Sequence, residues 1–158
     1  MPKPTPQHEW LQRFLGEWTY EATAAAPGEE PSLTIGTESV TALGDLWIVA
    51  DIRGDIPGHD PMESFLSIGY DPAKERFVGN FICNLMTMMW TYEGALDADR
   101  RVLTLDTEGP GFDNPAELIA YQDVHEFMPD GTRELRSRCK GPNGEWIEFQ
   151  RSVYTRKA

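Results

Sequence analysis

Residues 7–18 read Gln7-His8-Glu9-Trp10-Leu11-Gln12-Arg13-Phe14-Leu15-Gly16-Glu17-Trp18, and the pattern of the chain changes within them. From Gln7 to Leu15 the large apolar side chains Trp10, Leu11, Phe14 and Leu15 fall at the spacing of one helix face. The prolines at 2, 4 and 6 lack the N–H a helix interior needs, so residues 1–6 read as a flexible lead into that helix. Gly16 supplies a stop, because a residue without Cβ takes the left-handed conformation that ends helices. From Trp18 onward the helical spacing is gone.

What replaces it is a series of short β-branched and aromatic runs, separated by turn residues, which predicts consecutive hairpins. The expected strands are Trp18–Ala25, Leu33–Leu43, Leu46–Asp55, Glu63–Tyr70, Phe77–Cys83, Met86–Leu96, Val102–Glu108, Glu117–Phe127, Thr132–Lys140 and Trp146–Arg156. Gly44-Asp45, Asp71-Pro72, Asp97 through Asp99, Pro129-Asp130-Gly131 and Pro142-Asn143-Gly144 fix the reversals through positive or locked φ. The loops around Gly58-His59-Asp60 and Gly109-Pro110-Gly111-Phe112-Asp113 are longer and belong at a barrel mouth. A flat sheet of about ten strands exposes two edges, so closure is required, and hairpin connectivity favours an all-β, up-and-down antiparallel barrel capped at one end by the short helix.

Composition bounds the rest. A chain of 158 residues is read as one domain, 1–158, burying about 70% of its unfolded surface, with 40% apolar residues and five tryptophans for the core. Fourteen basic against 26 acidic residues leave a net charge of −12, which repels phosphate backbones and anionic membranes. No stretch approaches the roughly 20 apolar residues of a bilayer span, and Met1 through Pro6 lack a signal peptide's apolar segment. A cytoplasmic location is expected, with Cys83 and Cys139 as free thiols.

The run Glu9-x-Leu11-x-x-Phe14-Leu15-Gly16-x-Trp18 resembles the opening of the calycins, the lipocalin-like barrels, and Tyr154-Thr155-Arg156-Lys157 resembles their closing strand. That resemblance implies that an arginine of the last strand, Arg156 before Arg151, lies across the Trp18 indole and plugs one end. Four further motifs are Leu43-Gly44-x-Leu46-Trp47, Gly69-Tyr70-Asp71-Pro72, Trp90-x-Tyr92-x-Gly94-x-Leu96-Asp97 and Gly141-Pro142-x-Gly144. Together they are similar to the domain-of-unknown-function family 1579 over nearly the whole chain. The related nitrobindins carry an axial haem histidine near the C-terminus, whereas no histidine follows His125 here.

Strand parity supplies the candidate ligand contacts. Trp90 and Tyr92 share a face with Met86, Met88 and Leu96; Tyr121 and His125 share one with Ile119, Asp123 and Phe127. Cys139 shares a face with Arg133, Leu135 and Ser137. Arg151 alternates with Ile147, Phe149 and Val153, and if that aliphatic face is the inner one Arg151 is a buried cation that an anionic guest would satisfy. His8 and His59 have no metal-ligand spacing, and Asp106, Glu108, Asp113 and Glu117 lack the EF-hand pattern, so neither a metal nor a cofactor is expected.

The leading expectation is a protein that binds a small hydrophobic molecule, anionic if Arg151 points inward. An enzyme uniting His125, Tyr121, Cys139 or Arg151 in one pocket stands beside it. A third reading is a filled barrel that forms homo-oligomers through an exposed edge or apolar patch.

Overall fold

In the computed structural model, which describes residues 1–157, Pro6 opens the helix instead of blocking it. Helix α1 spans Pro6–Leu11, and its first position is where the missing N–H costs nothing. The Thr5 backbone N–H donates to His8 Nδ1 at 2.9 Å, which leaves Nε2 to donate to the Tyr70 carbonyl at 3.0 Å. The expected helix of residues 7–15 is thus shorter, because Gln12–Phe14 tighten into a 3-10 turn.

Ten strands follow: β1 (Gly16–Ala24), β2 (Ser32–Leu43), β3 (Trp47–Asp55), β4 (Met62–Asp71), β5 (Arg76–Cys83), β6 (Trp90–Leu96), β7 (Val102–Pro110), β8 (Leu118–Phe127), β9 (Arg133–Lys140) and β10 (Trp146–Arg156). Each pairs antiparallel with the next, and β10 closes on β1 with Trp18 opposite Arg156. The result is a closed up-and-down barrel. Among the described residues no helix is long and apolar enough to cross a membrane. Alternation of the hairpins sends α1 and the turns after β2, β4, β6 and β8 to one end, and the loops after β1, β3, β5, β7 and β9 to the other, the mouth.

Two strands depart from expectation. The strand expected from Met86 begins at Trp90, and Met86 sits exposed in the preceding turn, outside the barrel face its spacing suggested. In β10 the register shifts between Glu148 and Gln150, a bulge that exchanges the two faces of the strand. Ile147 and Phe149 are half-buried, then Ser152 and Tyr154 are buried, while Arg151 points outward and pairs with Glu134 at 2.6 Å. The inward placement of Arg151 is therefore overturned.

The helix end is solid. Trp10, Leu11 and Phe14 are buried, with Trp10 and Phe14 meeting Phe127 edge-on at 5.5 and 4.9 Å. Trp18 Nε1 donates to the Phe14 carbonyl at 2.8 Å, and the Arg156 guanidinium lies 4.1 Å from the Trp18 ring centre. Arg156 also donates to the carbonyls of Leu15 and Arg13, at 2.6 and 2.7 Å. Gly16, at φ 125°, is needed there twice over: few side chains tolerate that conformation, and a Cβ would lie 2.8 Å from Arg156 Nη1.

Beneath Trp18 lies Arg133, with no exposed surface, ion-paired to the equally buried Glu38. Its guanidinium sits 4.0 Å from the Tyr154 ring centre and 4.8 Å from those of Phe14 and Trp18. The rings give its remaining N–H groups, Nε and Nη1, polarisable faces where no oxygen accepts them. Arg133→Met leaves Glu38 an uncompensated buried charge and should cost about 3–5 kcal/mol in urea unfolding; adding Glu38→Leu should recover most of that loss.

Candidate functional site

Toward the mouth the inward side chains change character. Trp90 packs its indole against Gly109, which has no side chain to hold it off, and meets Tyr121 edge-on at 5.1 Å. Phe149 stands 5.8 Å from Tyr121 and 5.1 Å from Phe112, whose ring is 42% exposed. Tyr121 donates its hydroxyl to the Pro110 carbonyl, which fixes the ring. Cys139, buried, is paired in register with Tyr121. Of the expected contacts, Trp90, Tyr121 and Cys139 are brought together here; Arg151 is not.

Below this aromatic collar runs a polar belt. Asp123 accepts hydrogen bonds on both oxygens, from Tyr92 Oη at 2.7 Å and from Ser137 Oγ at 2.6 Å. Tyr92 and Ser137 are buried, and Asp123 is partly buried. Burial pushes its carboxyl pKa up, against the two hydrogen bonds, and burial first and the Asp123 charge second push the Tyr92 phenol well up, so Tyr92 stays a donor. On the opposite wall the buried Tyr20 Oη and Ser64 Oγ have no partner. The Tyr20 ring lies against Gly36 and Gly54, flat to the wall instead of across the lumen.

His125 lies nearer the plug, buried, 5.5 Å from the Phe14 ring and with Nδ1 unpartnered. Desolvation, then the Arg133 charge, lowers its pKa from 6.5 to about 3, so it is neutral and apart from the collar. Cys139 has its thiol pKa pushed up by burial, the reverse of what activates a nucleophile. Among the described residues no cluster of three His, Cys, Asp or Glu could hold a metal ion.

The wall itself is incomplete on this side. β6 and β7 pair only from Leu96↔Leu103 to Glu93↔Asp106, and toward the mouth Trp90–Tyr92 and Thr107–Gly109 no longer bond to one another. A cleft of about 780 Å³ opens over this seam, with outward-facing Glu93, Asp106 and Glu108 as lips and Tyr92, Thr107 and Tyr121 as floor. Thr107 Oγ1 is buried there without a partner. Sequence parity already placed Asp123 and Ser137 inward; what it lacked was the parting of β6 from β7, which no turn residue announces.

The family model described as "Protein of unknown function (DUF1579)" matches residues 3–156. Among solved structures, the S-type phycobiliprotein lyase CPES from Guillardia theta superposes with a TM-score of 0.63 at 12% identity, over 98% of this chain and 99% of that one. EF1p2_mFAP2b bound to DFHBI superposes with a TM-score of 0.51, also at 12% identity, over 96% of this chain and 99% of the other. At such identities the likeness is one of fold. No curated protein matches the chain.

The neutral His125 carries a pH signature. The unfolded chain protonates it below about 6.5 while the folded chain does not until about 3, so its contribution is complete above 6.5 and declines as pH falls. Between pH 6 and 4 the urea-unfolding free energy should lose about 1.4 kcal/mol per pH unit relative to a His125→Leu variant. Parallel pH profiles of the two proteins would refute the buried, neutral imidazole.

Proposed function

The chain belongs to the DUF1579 family of proteins of unknown function, and from that premise we propose that it binds a small, flat, largely apolar molecule in the mouth half of the barrel. One observation carries the reading: the hydroxyls of Tyr20 and Ser64 are buried with no protein partner, and on the other wall the collar rings of Trp90 and Phe149 are only partly buried. An unsatisfied buried hydroxyl costs about 1–3 kcal/mol, which a packed interior avoids and a guest or water relieves. The two superposed barrels lend support, one being a phycobiliprotein lyase and the other holding DFHBI.

Flat rings backed by glycine suit a flat guest. Trp90 over Gly109 and Tyr20 over Gly36 and Gly54 lie along the wall, an arrangement that suits a flat guest stacked against them. The inner thiol and imidazole supply no nucleophile or base to this space, which sets binding ahead of turnover.

Native mass spectrometry of gently purified protein should show a retained guest, and dansylamide, a neutral flat fluorophore, should bind saturably at one per chain. Trp90→Ala should weaken dansylamide about ten-fold or more, the equivalent of roughly 1.4 kcal/mol. No guest and no saturable dye binding would overturn the reading.

A further inference from the structure

We propose that the guest is an organic cation, an ammonium or amidinium on a flat apolar body, whose nitrogen is held by Asp123; this deepens the binding reading and rests on it. The charges inside the barrel decide the sign. Arg133 and Glu38 cancel at the plug, His125 is neutral, and Arg151 is outside. What remains is one carboxylate, Asp123, and among the described residues no cation forms an ion pair with it.

Its geometry is that of a receptor for a donor. Both oxygens accept from hydroxyls, and each retains lone-pair capacity that Tyr92 and Ser137 do not use. Asp123 is also only partly buried, unlike its partners Tyr92 and Ser137. A lone interior carboxylate is costly to desolvate, and a guest cation is the counter-charge that offsets that cost.

The approach has the same sign. Glu93, Asp106 and Glu108 border the cleft at the split seam; Lys74 binds Glu93 at 2.6 Å and Gln122 donates to Asp106 at 2.7 Å, while Glu108 has no cationic partner among the described residues. With a net charge of −12 the field around the whole chain draws cations and repels anions. Behind the lips Tyr92 and Tyr121 line the cleft, and aromatic rings tolerate a cation well. Lys74 also lines the cleft and cancels Glu93, and Arg138 and Lys140 lie over the lining Trp146, so the sign is decided at Asp123, where an anionic guest would meet repulsion.

Three probes on one fluorophore test this at neutral pH: dansylcadaverine (ammonium), dansylamide (neutral) and dansylglycine (carboxylate). Dansylcadaverine should bind at least about ten-fold more tightly than dansylglycine, a difference of roughly 1.4 kcal/mol. In Asp123→Asn the ratio should fall to within about two-fold. The order should persist in ~1 M sodium chloride, where a Debye length of about 3 Å screens the outer carboxylates but not the interior one.

Dansylglycine binding as tightly as dansylcadaverine, while dansylamide binds, would overturn the cation assignment and leave the binding site standing. An undiminished ratio in Asp123→Asn would remove Asp123 from the recognition. Loss of the order in salt would do the same on the unaltered chain, should the Asn variant fail to fold. Failure of all three probes to bind would overturn the cation assignment together with the binding reading.

Discussion

Arg133 enters the barrel on the same face of β9 as Leu135, Ser137 and Cys139, and a guanidinium without water obliges other elements to come to it. Glu38 of β2 supplies the counter-charge, and Phe14, Trp18 of β1 and Tyr154 of β10 supply ring faces. The helix end is therefore built inward from one cation. Arg156 seals the outer face of Trp18 and, through Leu15 and Arg13, binds the turn after the helix to the last strand. Such a pair contributes little net stability compared with apolar packing; what it imposes is a single mutual placement of helix, first strand and last strand.

That placement divides the interior in two. At the plug, Trp10, Phe14, Phe77 and Phe127 interlock edge-to-face and fill the space. At the mouth, glycines stand where large residues would otherwise cross the lumen, and rings fold down upon them. A Cβ at Gly36 or Gly54 would lie 2.5 Å from Tyr20 atoms, so these glycines let the ring lie flat. The same sheet thus gives an interlocked aromatic core at one end and rings laid on glycines at the other.

Much of this was legible in residue order. The switch from helical to alternating spacing at Gly16–Trp18 located the cap, and regularly spaced turn residues counted the strands, because both rest on local backbone preferences. The faces of β8 and β9 were legible too, since unbroken alternation carried Tyr121, Asp123, His125, Ser137 and Cys139 inward. Where alternation breaks, the sequence is silent: nothing in Glu148-Phe149-Gln150 announces a bulge, and that one extra residue put Arg151 on the wrong side. Met86 failed for a related reason, since its alternation with Met88 and Trp90 continues through residues that never join a ladder. Parity put Arg133 on the face of Ser137 and Cys139, but its burial depends on partners about a hundred residues away, such as Glu38.

The seam between β6 and β7 gives the mouth its asymmetry. β7 and β8 pair from Val102↔Glu126 to Pro110↔Leu118, whereas β6 and β7 bond only between Leu96↔Leu103 and Glu93↔Asp106. Free energy of local opening follows the hydrogen bonds and buried contacts that must be given up, so the wall parts most readily where its ladder is shortest. There the missing ladder is replaced by Trp90 lying on Gly109, a contact of surfaces, not of directional bonds. Tyr92 sits at the margin of that seam and donates to Asp123 across the interior, so the strand edge that borders the cleft is tied to the one carboxylate that lacks a counter-ion. Among the described residues the Tyr92 phenol thus makes the one side-chain hydrogen bond that joins this edge of the wall to Asp123.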